Sequence, residues 1–450
     1  MSFRHTPLVV CLLALLMAPA AVRAGQAPQG DQPAPEQVRR PFRGIFGGPP
    51  DPTGKQSLIA SGTAFVAYDD DVFAGQLASA ETLHQGVRQD GIYSGMTAGL
   101  AYSRNSNRAS AGLTADVGVN KYKNRDLLPT YRVGANVGAQ VARRTRFSVS
   151  GAAVYSPEFR LGGFTNPLSI TGVQDPFSTV LADYDLYNLA ALRTLAAGTL
   201  TQSIGRRASL DASYSLNNVD YINNAFNYRT QSGGLRYTQR LTRNMNARLG
   251  YGYTIAEYKQ RPDVLPPHIH HIDAGIDYGR ALSVSRRTHV SFSTGSAILS
   301  GTGETFAGNT SGFSYHLTGA ADLTHEMGRT WKAQLTYRRG VDVHEGFAQP
   351  FLSDGVNAGL GGLLSRRLSF ASGADYVSGD VGLRNGAHYV SFSTNTVLEY
   401  ALSSRLALFG RYVYYKYDFD RQAALDPRLP RALDRQGVRF GLSTSIPVIR

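Results

Sequence analysis

From Tyr131 to Tyr155 the chain reads YRVGANVGAQVARRTRFSVSGAAVY, and its side chains alternate between apolar and polar with a period of two. Tyr131, Val133, Ala135, Val137, Ala139 and Val141 fall on one side, and Arg132, Gly134, Asn136, Gly138 and Gln140 on the other. An amphipathic helix would space its apolar residues three or four apart, so this stretch reads as a strand. The alternation stops at Arg143 and Arg144, then resumes with Phe147, Val149, Gly151, Ala153 and Tyr155. Two such strands joined by a tight turn, each with one apolar and one wet face, make an antiparallel hairpin.

The same unit recurs along the chain. Leu113, Ala115 and Val117 oppose Thr114 and Asp116; Leu249, Tyr251 and Tyr253 oppose Arg248, Gly250 and Gly252; Leu335 and Tyr337 oppose Lys332, Thr336 and Arg338; Phe392 and Leu398 oppose Ser391 and Glu399. Short turns carrying Ser, Gly and Arg fall at Asn105–Asn107, Arg143–Thr145, Gly205–Arg207, Arg243–Asn244, Ser285–Arg287, Gly328–Thr330, Ser365–Arg367 and Ser403–Arg405. They recur about every forty residues, apart from one long insertion, and a period of that length also suits propellers and helical repeats. The strands decide between these: each is about ten to fourteen residues long, with a short turn at one end and a long polar loop at the other, which is the pattern of an outer-membrane barrel. Adding a first strand near Ser57–Tyr68 and a last near Gly437–Ile446 gives about eighteen strands, an even count with both ends of the wall on the short-turn side. Weak parity near Asp185–Ile204 and Leu406–Tyr417 leaves about sixteen as the alternative. The expected fold is all-β, a transmembrane antiparallel up-and-down β-barrel over residues 57–450.

Energy assigns the faces. An arginine or lysine facing lipid at mid-membrane costs about 2–4 kcal/mol, so the Val, Leu and Phe face is expected outward and the Arg, Asp, Ser and Gly face inward. Tyr93, Tyr122, Tyr155, Tyr258, Tyr376 and Tyr389 fall toward the long-loop ends, and Trp331 just past a short turn, as aromatic girdles would.

Residues 1–24 have a basic start at Arg4, an apolar run from Leu8 to Ala18 and a small-residue exit at Val22, Arg23 and Ala24. They read as a cleaved secretory signal that carries the chain across the inner membrane, so the expected location is the cell outer membrane. Residues 25–56 are rich in Pro, Gly and Gln with a basic aromatic patch at Arg39, Arg40, Phe42, Arg43 and Phe46, and read as a periplasmic leader. It is either a flexible tether or a segment that docks at the barrel mouth or on a periplasmic partner. The single cysteine is Cys11, inside the signal, which excludes disulfides, cysteine metal sites and thiol chemistry from the mature chain. Losing Arg4 and Arg23 with the signal lowers the formal net charge from +13 to +11, so the basic character belongs to the mature protein. Beyond the signal no apolar run is long enough for a membrane helix.

With a signal, no segment large enough for a folded plug and long dyad strands over nearly all its mature length, the chain resembles the porin-like outer-membrane β-barrels of Gram-negative bacteria. In general porins the third outer loop folds into the lumen and often carries a Pro-Glu-Phe-Gly-Gly stretch. Here the third long loop, about Ser156 to Tyr184, begins SPEFRLGGF, in which Pro157, Glu158, Phe159, Gly162 and Gly163 match with two residues inserted. The resemblance implies that Pro157, Glu158, Phe159, Arg160, Gly162 and Gly163 belong to a constriction loop. It also implies contact with outer-membrane lipid and lipopolysaccharide, and assembly by the barrel insertion machinery. The chain departs from the family in ending IPVIR rather than on an aromatic residue, although VRFGLSTSI keeps Phe440 near the end.

Motifs of enzymatic chemistry are missing: there is no Gly-x-Ser-x-Gly elbow, Walker loop, His-Glu-x-x-His or cysteine metal knuckle. No enzyme, cofactor, metal site or nucleic-acid partner is therefore expected. The stretch HIHHID places His268 and His270 on one face of a strand and His271 on the other, which suits rim histidines better than a shared metal ion. Acidic clusters at Asp69–Asp71 and at Asp418 and Asp420 are expected in outer loops, as solvated tips or as bridges through divalent cations to lipopolysaccharide.

Parity puts Arg132, Arg236, Arg240, Arg248, Lys332, Arg338 and Arg439 on the inward face with Asp116, Asp211, Asp273, Asp277, Asp322, Asp375 and Glu399. Among them the pore-lining candidates are Arg132, Arg236, Arg248, Lys332, Arg338, Asp116, Asp375 and Glu399. Such charges either pair along the wall and stiffen it or set a field that selects solutes. The expected function is passive diffusion of small hydrophilic solutes; the alternative is a non-conducting barrel, structural or associated with polysaccharide secretion. Solute, pore size and oligomeric state are not readable from the sequence.

Overall fold

The computed structural model describes residues 56–71, 90–122, 127–159, 186–221, 227–258, 268–281, 287–305, 308–328, 330–343, 350–381, 387–420 and 431–449. The expected signal, residues 1–24, and all but the last residue of the expected leader, residues 25–56, lie outside them.

Eighteen strands make a single sheet. The first half of the wall is β1 (Gln56–Asp69), β2 (Gly91–Asn105), β3 (Ala109–Tyr122), β4 (Leu128–Ala142), β5 (Thr145–Phe159), β6 (Leu186–Ser203), β7 (Ala208–Tyr221), β8 (Tyr228–Arg240) and β9 (Met245–Tyr258). The second half is β10 (His268–Ala281), β11 (Thr288–Thr305), β12 (Gly308–Met327), β13 (Trp331–Val343), β14 (Pro350–Leu363), β15 (Leu368–Val381), β16 (Ala387–Ala401), β17 (Leu406–Phe419) and β18 (Ala432–Ile449). Each strand pairs antiparallel with the next, and β1 pairs with both β2 and β18, so the sheet closes on itself. Closure removes the two edges whose unpaired N–H and C=O groups neither lipid nor an apolar core could satisfy.

The weak-parity stretches are full strands, β6 and β17, which settles the count at eighteen. All eight expected turns fall at the connections between consecutive strands, with Asn105 ending β2 and Thr145 starting β5, and with Ser285, Arg286 and Arg329 outside the described residues. Hydroxyls organise several of these turns: Ser365 Oγ accepts from the backbone N–H of Leu368 at 3.1 Å, and Ser403 Oγ from that of Arg405 at 3.2 Å. Between β12 and β13 the chain turns through Gly328 at φ 66°, a left-handed conformation that glycine adopts without a Cβ penalty.

Burial is reversed relative to a water-soluble domain. Met96 and Phe440 are each 67% exposed, as are many other Leu, Val and Tyr side chains, while Asp69, Asp375, Arg411, Arg435 and Arg439 are buried. Because paired residues of an antiparallel ladder share a face, the exposed apolar set fixes which side of every strand is the outside. Trp331, at the short-turn end of β13, lies on this outer side with Leu335 and Tyr337 and donates its indole N–H to the carbonyl of Leu363 at 3.1 Å.

Two expectations change. The third long connection starts later than expected, because β5 continues through Ser156, Pro157 and Glu158 to Phe159 and pairs with Leu186 and Tyr187 at the start of β6. The tyrosine girdle also splits. Tyr155 shares the outward face with its register partner Tyr131, and Tyr376 is exposed, but Tyr93, Tyr122 and Tyr389 are buried. Their own parity explains this: Tyr93 follows Ile92, which is exposed on the outside, and so points in. Tyr258 is the register partner of the buried Tyr228.

Candidate functional site: the inner wall of the barrel

Register carries every described charge in the expected inward set to the inner side. Asp116 is the register partner of Arg132, and Asp211 of Arg236. Arg248 Nη1 forms an ion pair with Asp277 and Nη2 donates to the Thr294 carbonyl. Lys332 stands opposite Glu326 at the short-turn end, and Arg338 opposite Ala320 and Gly355. Asp273 is the register partner of Gly250.

Every exposed charge in this set is basic, and every described acid in it is at least half-buried. Arg132, Arg236, Arg240 and Arg338 are exposed on the inner face, whereas Arg248 and Lys332 are half-buried and Arg439 is buried; of the acids, Asp116, Asp211, Asp277, Asp322 and Glu399 are half-buried and Asp375 is buried. Neighbouring hydroxyls and amides hold the carboxylates down. Thr201 Oγ1 donates to Asp211 at 2.6 Å, Thr336 Oγ1 to Asp322 at 2.9 Å, Ser369 Oγ to Glu399 at 3.3 Å, and Asn357 Nδ2 to Asp375. Charge-assisted bonds of this kind keep an anion in the wall while leaving the guanidinium groups to face the interior. On the exposed part of the inner surface, a near balance in residue number becomes a predominance of positive groups.

The inner wall has two halves. From β3 round to β13 many inward side chains are accessible. From β15 through β18 to β2 most are buried, including Val377, Tyr389, Ser391, Phe409, Arg411, Val413, Tyr417, Arg435, Arg439 and Tyr93. On this side Arg435, 1% exposed, clamps Asp69 with Nε at 2.9 Å from Oδ1 and Nη2 at 2.6 Å from Oδ2. Asp69 Oδ1 also accepts from the Asp71 N–H at 2.9 Å. Arg439 donates to the Tyr93 hydroxyl at 2.8 Å with its guanidinium carbon 4.6 Å from the Phe65 ring centroid, and Tyr93 stacks on Tyr122 at 4.6 Å.

The expectation that Asp69–Asp71 form a solvated loop tip is therefore corrected for Asp69 and Asp71, which are buried. Asp69 ends β1, and closing the barrel sets β1 beside β18, which supplies Arg435. Asp418 likewise belongs to a strand, β17, while Asp420 just beyond it accepts from the His388 N–H at 3.3 Å. Spacing along the chain could not show the Asp69–Arg435 clamp, whose members are 366 residues apart. The one usable signal was an acidic residue at the end of the first strand and a basic one in the last, since closure makes those strands neighbours.

His268 and His270 share the outer face with Tyr253 and Tyr251: His270 Nδ1 is 2.7 Å from the Tyr251 hydroxyl, and His268 Nδ1 bonds that of Tyr253. His271 points the other way. Among the described residues no cluster of His, Cys, Asp and Glu is arranged to hold a metal ion. Of the constriction-loop candidates, Pro157, Glu158 and Phe159 lie on β5, and Arg160, Gly162 and Gly163 lie outside the described residues.

No family model matches the chain, and no curated protein does. Among solved structures it is similar to the outer membrane protein OprD from Pseudomonas aeruginosa, with 13% identity over 92% of this chain and 97% of that one at a TM-score of 0.42. It is also similar to OccK2 (OpdF) of the same organism in complex with glucuronate, with 11% identity over 88% of this chain and 98% of that one at a TM-score of 0.44. For OccK5 (OpdH) the identity is 12% over 88% and 99%, at a TM-score of 0.42. With identities and scores this low, the functional reading rests on this chain's own geometry.

Proposed function

We propose that the chain is an outer-membrane channel for passive diffusion of small hydrophilic solutes, with anions favoured. The observation that carries this reading is the set of exposed guanidinium groups of Arg132, Arg236, Arg240 and Arg338 on the inner face of a closed wall whose outside is apolar. A wall apolar outside and polar inside suits a bilayer, and eighteen strands enclose room for water. A solute passing such groups exchanges hydration for fixed charge and undergoes no bond change, so the reading includes no enzymatic step. Arg132, Arg236, Arg248, Lys332, Arg338, Asp116, Asp375 and Glu399 are the proposed lining. Insertion of the purified protein into planar bilayers is expected to give stepwise currents with a reversal potential favouring chloride; a folded barrel that stays silent defeats the proposal.

One observation favours a second reading. The buried inner side chains from β15 to β2 leave part of the interior filled, as a non-conducting structural or secretion-associated barrel would have it. The same current measurement separates the two.

The third outer connection is proposed to narrow the passage. Removing residues 160–178 is then expected to raise single-channel conductance, and an unchanged current would end that role. Outer-membrane lipid and lipopolysaccharide are the proposed surroundings, with Lys121 at the outer end of β3 sharing the outward parity of Val117. The barrel insertion machinery is the proposed assembly partner.

A further inference from the structure

Neighbouring strands stay paired almost to their outer ends round most of the wall, but β12 and β13 do not. Their ladder runs from Met327↔Trp331 only as far as Gly319↔Arg339, although β12 extends to Gly308 and β13 to Val343. The unpaired parts keep their other neighbours: β12 stays with β11 up to Thr305↔Gly308, and β13 with β14 up to Val343↔Pro350.

Beyond the last pair the two sides overlap. Register puts Ile269, Ala297 and His316 on the inner side of β10, β11 and β12, opposite Thr254, His271 and Ala297 respectively. It puts Arg339, Val341 and Leu352 on the outer side of β13 and β14, with Leu335 and Tyr337. Yet Val341, 6% exposed, packs in one cluster with Ile269 and Ala297, against Leu352. Inner face meets outer face, so the upper ends of β10–β12 lie outside those of β13–β14.

Polar contacts follow the same line. Arg339 Nε donates to the Leu317 carbonyl at 3.2 Å, and its Nη1 pairs with Asp354 Oδ2 at 2.6 Å. His316 Nε2 is buried without a hydrogen-bond partner among the described residues. Arg339 lies eight residues beyond Trp331, which at about 3.3 Å per residue and a tilt near 40° puts it roughly 20 Å above the short-turn girdle, close to the outer interface.

We propose that this overlap is a closed lateral portal, through which an amphiphile with an apolar chain passes between the lumen and the outer leaflet, latched by the bond from Arg339 across the seam to the Leu317 carbonyl, with Asp354 on β14 holding the guanidinium in place. Elsewhere a lateral exit would strand a whole ladder of backbone groups in lipid. Here the ladder already ends, and opening separates an apolar contact and a side-chain bond. Ile269, Ala297, Val341 and Leu352 suit the apolar chain, while His316 and Arg339 can bond a polar head.

The test uses the full-length mature protein, in which Ala297→Cys with Val341→Cys introduces the only two thiols. It is reconstituted in vesicles whose outer leaflet is lipopolysaccharide, and entry of a dansyl-labelled fatty acid into the bilayer is followed by fluorescence. The reduced protein is expected to speed entry several-fold over protein-free vesicles. Oxidation is expected to return it to that background while ion current in planar bilayers is unchanged, which separates loss of the portal from loss of the channel. Failure of the thiols to crosslink in a folded barrel, or equal entry in the two redox states, overturns the proposal. Arg339→Ala is expected to raise the entry rate of the reduced protein; an unchanged rate removes the latch.

Discussion

Asp69 and Arg435 are buried together, and each has lost its water to the other. Such a pair contributes little net stability by Coulomb attraction, because two desolvation penalties oppose it, yet removing one partner leaves an isolated buried charge that costs about 3–5 kcal/mol. Arg435→Ala is therefore expected to lower barrel stability by about that amount, read from the urea midpoint in detergent micelles. The double variant Asp69→Leu with Arg435→Leu is expected to recover much of the loss, and equal loss in single and double variants would show that the clamp acts through packing instead. The clamp also joins the first strand to the last, where the closing ladder from Asp69↔Gly437 to Leu58↔Ile449 holds the wall shut. Each half of it was visible in the sequence as an acidic or basic residue at a strand end; only their pairing depended on a three-dimensional closure that no local pattern encodes.

Strands carry the information that was most legible. The alternation of Arg248, Gly250 and Gly252 with Leu249, Tyr251 and Tyr253 fixed both the strand and its faces, because a period of two admits only two assignments and the cost of charge in lipid rejects one. The same logic misplaced Tyr93 and Tyr122, where position along the strand was allowed to outweigh parity. It left β6 ambiguous because Leu192 and Leu195 fall on opposite faces and both are exposed. It also could not foresee the overlap at β12 and β13, which depends on where a ladder stops and not on what either strand contains. A one-residue insertion after Gly252 makes the strand logic testable. It would turn the outer segment Tyr253–Tyr258 over relative to β8 and β10, sending Thr254 and Ala256 outward and Tyr253 and Ile255 in. Heat-modifiable mobility on gels is expected to show loss of the folded form, whereas a two-residue insertion at the same place, which keeps parity, is expected to fold. Equal folding of both would mean that the faces of this wall are not sorted by lipid.

For the barrel as a whole, the proposed function makes charge depth matter more than charge number. Counted by residue, the inward acids and bases nearly cancel, and from the sequence alone that balance favoured paired ladders over a selecting field. In the structure Thr201, Thr336 and Asn357 bond carboxylates in the wall, while the side chains of Arg132, Arg236 and Arg338 are exposed on its inner face. On the proposed reading, a permeating ion meets guanidinium groups first, and the low-dielectric wall behind them focuses their field into the passage. Replacing Arg132, Arg236 and Arg338 together with Glu reverses the sign of the exposed groups without touching the hydroxyls or amides that seat Asp211, Asp322 and Asp375. The reversal potential in a potassium chloride gradient is expected to swing from chloride-selective to potassium-selective, and the swing should shrink as salt rises, because at about 1 M the Debye length falls to about 3 Å. Replacing Asp211 and Asp322 with Asn is expected to shift selectivity far less, since those charges are seated in the wall. Were the two sets of substitutions to move the reversal potential equally, depth would not be what governs selection, and the passage would be reading only the sum of its charges.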